Sequence, residues 1–156
     1  MIPKFRAWST DKKNMAEVRT LRFTDELVET DKFVERSIEG VKLMQSTGLL
    51  DKNGKEIFEG DVIAIEVDDT ETPINARVSQ NNKIGVLMFH VFEDNEDVPM
   101  VELLEDNSVA FEIIGNVYEN PEYRGIDYRC YLVNWFYRCN HRGNTGQKKG
   151  RENDEQ

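Results

Sequence analysis

The amino-acid sequence predicts a mainly β protein, a small barrel or sandwich. Three observations carry that reading. Apolar residues come in short runs, several of them alternating with polar ones, as half-buried strands require. Clusters of Gly, Asn, Asp and Pro separate the runs and supply turns. No heptad pattern or internal repeat points to another architecture.

The elements follow in order. Ile2 to Trp8 alternates, with Phe5 between Lys4 and Arg6, and Pro3 suits a strand start or edge. Met15 to Phe23 fits either a strand or a short helix. Leu27 to Ile38 fits helical spacing about as well as two short strands. Val41 to Met44 is a short apolar run. Asn53-Gly54, inside Asp51 to Glu56, predicts a hairpin tip of type I′, because that pair tolerates positive φ. Glu59-Gly60-Asp61 turns the chain into an alternating strand, Val62 to Val67. An acidic loop from Asp68 to Pro73 leads to strand Ile74 to Val78 and a turn, Ser79 to Lys83. Strand Ile84 to Phe92 precedes a second acidic loop, Glu93 to Pro99. Val101 to Leu104 and Val109 to Val117 complete the strands. Gly85 and Gly115 within strand patterns predict bulges or close approaches.

The chain has 156 residues, 38% hydrophobic and 32% charged, which suits one domain with an appendage and needs no disulfide or structural metal. Residues 1–121 hold 13 Lys/Arg against 25 Asp/Glu, a net of −12. Residues 122–156 hold 7 against 5, a net of +2. The composition changes at the same place. An aromatic stretch, Tyr128 to Tyr137, gives way to a polar tail, Asn140 to Gln156. The expectation is a β domain over 1–123 and an appendage over 124–156. The spacing of Tyr128, Tyr131, Leu132, Trp135 and Phe136 allows a short helix within 127–139, and 140–156 reads as flexible. Only Cys130 and Cys139 are present, which agrees with a reducing compartment. No apolar run reaches the roughly 20 residues that span a bilayer, and no signal core is seen, so a cytoplasmic protein away from membranes is expected.

Candidate chemistry is sparse. Cys130, Cys139 and His141 give C-x8-C-x-H, one ligand short of structural zinc unless His90 joins them. Cys139 and His141 lack a third group to orient a base. Asp68, Asp69 and Glu71 form one carboxylate cluster. Glu93, Asp94, Glu96 and Asp97 form another. Neither follows the calcium-loop pattern, and no glycine-rich phosphate loop is present. No metal or cofactor is expected. Glu59 and Asp61 resemble a catalytic pair, but Gly60 as turn and Asp61 as backbone acceptor explain the triplet better. Trp8, Phe58, Phe89 and Tyr118 read as core aromatics rather than a base-stacking platform.

Four segments carry a family resemblance. They are Lys4-Phe5-Arg6-Ala7-Trp8, the stretch Leu43 to Asp61 with its Asn53-Gly54 and Gly60-Asp61 pairs, Gly85 to Phe89, and Ile113 to Glu122 with Gly115, Asn120 and Pro121. Together they resemble the YopX family, small proteins of bacteriophages and prophages. The resemblance covers residues 1–123. It implies a β-rich, SH3-like, partly open barrel of phage or prophage origin, preceded by extra strands or a short helix. It brings no catalytic residue and no established activity. The last 30 or so residues depart from it, and a lineage-specific tail, a second binding element or a shifted reading frame would each produce that.

These features predict an accessory protein that binds a protein partner, or itself as an oligomer, without catalysis. An acidic decoy that mimics DNA is one alternative, and a small enzyme another. The negative charge disfavours direct nucleic-acid binding and would steer a basic partner toward the two acidic loops.

Overall fold

The computed structural model describes residues 2–68, 71–105 and 108–123. They form two antiparallel sheets, with no closed barrel. Strands β1 (Phe5–Ser9), β2 (Asn14–Arg22), β3 (Leu27–Thr30), β4 (Arg36–Ser37), β5 (Val41–Leu50) and β6 (Glu56–Phe58) make the first sheet. Its order is β4-β3-β2-β1-β5-β6. Strands β7 (Asp61–Val67), β8 (Ile74–Asn81), β9 (Val86–Val91), β10 (Glu96–Pro99) and β11 (Val109–Asn116) make the second, in the order β10-β9-β8-β7-β11.

The two ambiguous N-terminal stretches are strands. In β2 a register shift between Val18 and Thr20 moves Leu21 onto the side of Ala16 and Val18, where all three pack. That bulge breaks the alternation, which is why the sequence read equally well as helix. A helix over 27–38 is excluded by Glu35, which is left-handed at φ 42°. The Thr30 hydroxyl instead accepts the Phe33 N–H at 3.0 Å and ends β3.

Other boundaries need correction. Gly85 is not within a strand but in the β8–β9 turn, left-handed at φ 68°. The second acidic loop is shorter than expected, because Glu96–Pro99 pairs with β9. Val101 to Leu104, expected as a strand, lies instead in one helical turn, α1 (Met100–Leu104). Pro99 precedes it, and Met100 and Leu103, three apart, both reach the core. At the hairpin tip Gly54 is left-handed, at φ 79°, but Asn53 is not, so the turn is not type I′. The Gly54 N–H returns to the Asp51 carbonyl at 2.9 Å and the Asp51 N–H to the Lys55 carbonyl at 2.8 Å. This is a turn closed by a glycine bulge. Gly115 does mark a bulge, between Ile113 and Gly115 against β7.

The larger core lies on one face of the five-stranded sheet, around Ile63, Ile65, Val78, Phe89 and Phe111. Ile57 and Leu49 join it from β6 and β5, so this arm of the first sheet crosses onto the second. The arm also closes an edge: the Lys52 N–H bonds the Phe111 carbonyl at 2.8 Å, and the Ile113 N–H bonds Asp51 Oδ2 at 3.2 Å. A smaller core, Ala7, Ala16, Val28, Phe33 and Val41, lies on the first sheet. Among the described residues no helix is long and apolar enough to cross a membrane.

Candidate functional site

The β7–β8 and β9–β10 hairpins turn at the same end of the five-stranded sheet, because the three intervening pairings are all antiparallel. Phe92 N–H bonds the Asn75 carbonyl at 3.0 Å and brings the two tips level. Asp68 and Glu71 stand on one tip, Glu93 and Asp94 on the other, all exposed. Among the described residues none of these four forms an ion pair. Glu96 and Asp97 sit on β10 rather than in the loop, and Asp97 Oδ1 lies 2.7 Å from His90 Nδ1. Asp69 falls outside the described residues, as do Cys130, Cys139, His141 and the aromatic stretch from Tyr128. Among the described residues no group of His, Cys, Asp and Glu is arranged to hold a metal ion.

The opposite end of the sheet is a fastened corner. Gly60 is left-handed at φ 83°. Its N–H bonds the Val78 carbonyl, its carbonyl accepts Val117 N–H, and Glu59 N–H bonds Gln45, each at 2.9 Å. β5 of the first sheet, β8 of the second and the residue that follows β11 thus meet in one turn. Asp61, 1% exposed, is used structurally: Oδ2 accepts Phe58 N–H at 2.8 Å, and Oδ1 accepts Arg6 Nη2 at 2.6 Å. The Arg6 guanidinium also lies 4.9 Å from the centre of the Phe58 ring. Burial raises the Asp61 carboxyl above its ordinary value, against the pull of Arg6 and the Phe58 N–H. Arg6 was not singled out by the sequence. Its only signal was a charge at an alternate position of an apolar strand.

The segment after β11 is organised by Asn116. Its side-chain oxygen accepts the Tyr118 and Glu119 N–H groups at 3.0 and 2.8 Å. Asn120 Oδ1 accepts the Asn116 N–H at 3.1 Å. A Cβ on Gly115 would lie 2.5 Å from that same oxygen, so glycine is required by space rather than by φ. Asn116 and Asn120 thereby set the direction in which the chain leaves β11.

That exit brings Tyr118 against Trp8, with ring centres 6.0 Å apart and planes at 25°. Trp8 and Phe89 are buried; Phe58 and Tyr118 are half-buried, so the core reading holds for the first two and partly for the others. Beside the pair lies an open groove of about 440 Å³, bounded by Trp8, Thr10, Lys13, Lys42, Tyr118 and Pro121. It contains residues from both ends of the sequence resemblance, and the composition gave no hint of it.

Comparison with known proteins agrees with this architecture. The structure of protein EF1440 from Enterococcus faecalis has a TM-score of 0.55 at 27% identity, over 79% of this chain and 98% of that one. Protein yopX from Bacillus subtilis has a TM-score of 0.51 at 19% identity, over 76% and 95%, a likeness of fold. No curated protein matches the chain. The sequence profile described as YopX protein matches residues 4–123, and the chain belongs to the YopX family.

Proposed function

We propose that this protein is a non-catalytic accessory factor whose acidic hairpin tips engage a basic surface on a partner protein. One observation carries the reading: Asp68, Glu71, Glu93 and Asp94 are exposed at the same end of one sheet. Grouped charge of one sign raises the rate of encounter with an oppositely charged partner. Hairpin loops on a packed sheet are also where recognition residues are commonly carried. Carboxylates gathered at one end, rather than strung along a face, favour this reading over a DNA mimic. A phage or prophage origin, action in the bacterial cytoplasm, and SH3-like closure by the β5–β6 arm belong to the same proposal.

The test compares wild type with a variant carrying Asp68→Asn, Asp69→Asn, Glu93→Gln and Asp94→Asn. Both are used to capture proteins from bacterial lysate at low and physiological salt. A basic protein held by wild type and released from the variant, with association that slows as salt rises, is the expected result. Equal capture by both forms, or tight binding of bare duplex DNA by wild type at physiological salt, overturns the proposal.

A further inference from the structure

The groove beside the Trp8–Tyr118 pair is lined by two lysines and, among the described residues, by no carboxylate. Lys13 sits in the β1–β2 turn, and Lys42 lies on β5 directly opposite Trp8. Both ammonium groups are exposed, and neither forms an ion pair among the described residues. In a body of net charge −12 over residues 1–121, carboxylates are available to pair with them, yet here they flank an aromatic floor instead. The neighbouring hollow, which shares Tyr118, carries one charge of each sign, Arg77 and Glu59, so the cationic lining is confined to the groove. On the exit segment Glu119 accepts from Asn116 Nδ2 at 2.7 Å and Glu122 from Asn120 Nδ2 at 3.4 Å; these bonds fix the carboxylates in place, and both keep their charge beside the rim of the groove.

We propose that the groove between the Trp8–Tyr118 pair and the β1–β2 turn binds an acidic linear peptide of a partner protein. An apolar side chain of the peptide rests on Trp8, Tyr118 and Pro121, and flanking carboxylates meet Lys13 and Lys42. The volume, about 440 Å³, falls in the range that accommodates a few side chains, roughly 300–1,000 Å³. The charged residues that line the groove, Lys13 and Lys42, select an anionic occupant. The aromatic geometry selects a peptide over single-stranded nucleic acid. Trp8 is 7% exposed with one face against Tyr118, so it offers an edge to an aliphatic group rather than a free face to a base. The acidic tips do not prevent this. They lie beyond the far end of β7, a strand of 7 residues, hence about 20 Å away, where screening over about 8 Å at physiological salt has removed most of their repulsion.

The experiment measures fluorescence anisotropy with labelled short peptides. One panel places two or three Asp or Glu around a single Leu, Pro or Trp. A matched panel carries Asn and Gln instead, and a labelled oligothymidylate is the third probe. Acidic members are expected to bind wild type and to lose about tenfold or more in the Lys13→Glu/Lys42→Glu variant and in the uncharged panel. Lys13→Gln/Lys42→Gln is expected to show a smaller loss in the same direction. Both lysines are exposed, so an unchanged melting temperature is expected and separates binding from folding. Acidic peptides that bind no better than uncharged ones overturn the proposal, as does equal binding by the charge-reversed variant. So does tighter, lysine-dependent binding of the oligothymidylate. Sedimentation that shows wild-type self-association lost in the variant makes a second copy the occupant and overturns it also. The tip-neutralised protein keeps the groove intact, so the two proposals fail independently.

Discussion

In the five-stranded sheet four pairings run with one slip, at Gly115. In the six-stranded sheet two of five pairings slip, at Val18/Thr20 and at Ser46/Leu50. The cores differ in the same sense. Nine buried residues form the one on the five-stranded sheet, including Phe89 and Phe111 with ring centres 5.3 Å apart. Five, two of them alanines, form the other. What the first sheet lacks in apolar area it replaces with polar clasps. Arg36 reaches Ser9 and Asp11 at 2.9 and 2.5 Å, and Arg22 pairs with Glu35. Such exposed pairs are worth about 1 kcal/mol or less each, whereas burying one large apolar side chain is worth about 1.5–3 kcal/mol. The five-stranded sheet is therefore the stable unit, and the first sheet is held to it by a few buried contacts.

The sharpest test of that difference is truncation in each core. Phe89→Ala should cost about 3–5 kcal/mol in chemical denaturation. Val28→Ala removes less and should cost about half as much. Amides of β2 and β3 should also exchange faster than those of β8 and β9, as local opening predicts. Equal costs with equal exchange would break the comparison.

Next in size is the buried clasp between the sheets. Arg6→Met leaves Asp61 buried without its guanidinium and should cost about 3–5 kcal/mol. Adding Asp61→Leu should recover part of that, because the orphaned charge is gone. Lys4→Ala breaks an outwardly similar pair with Glu56, but Lys4 is 64% exposed, so the change should stay within about 1 kcal/mol. A large loss on Lys4→Ala would mean that burial does not separate the two pairs.

Smaller still is Gly115→Ala. Its Cβ would press on Asn120 Oδ1 and should destabilise by about 1–3 kcal/mol. Asn120→Ala in the same chain should relieve the clash, giving a non-additive pair in a double-mutant cycle.

The mildest change is a pH effect at Asp51. Desolvation opposes its ionisation, but the backbone N–H groups of Lys55, Ile113 and Asn53 outweigh it and hold the carboxyl below its ordinary range. A carboxyl depressed by folding contributes stability at pH values above its unfolded pKa, about 3.9, and loses it as pH falls through the folded value. Asp51→Asn should therefore lower stability at neutral pH, where the ionised carboxyl holds the N–H groups of Asn53, Lys55 and Ile113, and the gap to wild type should close as pH falls, which flattens the acid limb. Asp61 acts in the opposite sense. Its carboxyl is raised by burial, so its contribution diminishes as pH climbs above the unfolded value.

How far the sequence could be read follows the same division. Val62 to Val67, Ile74 to Val78 and Val109 to Val117 were legible because each is an apolar run bounded by turn residues, and the one bulge among them, at Gly115, falls near a strand end. The stretches 15–23 and 27–38 were not, because bulges and left-handed residues scramble the period and little apolar surface is present to set it. Glu59-Gly60-Asp61 was legible as a turn, since Gly60 announces positive φ. Its guanidinium partner lies 55 residues away on β1, and pattern within a window cannot pair residues at that distance. The acidic tips could be read as loops but not as neighbours, which depends on hairpin direction. The groove was unreadable for the same reason: Trp8 and Tyr118 are brought together only by the exit angle that Asn116 and Asn120 impose.

The way the sheets end has a consequence for behaviour at high concentration. An open strand edge is a template on which another chain can crystallise into a fibril. Here β11 is shielded by the Asp51–Gly54 tip, and β10 exposes four residues, two carboxylates followed by Val98 and Pro99, whose missing N–H interrupts any added ladder. The other terminal strands, β4 and β6, are two and three residues long, too short to nucleate a cross-β stack. Glu96 and Asp97 therefore place like charges on the longest open edge of the described sheets, which disfavours strand pairing between copies there whether or not a partner is present.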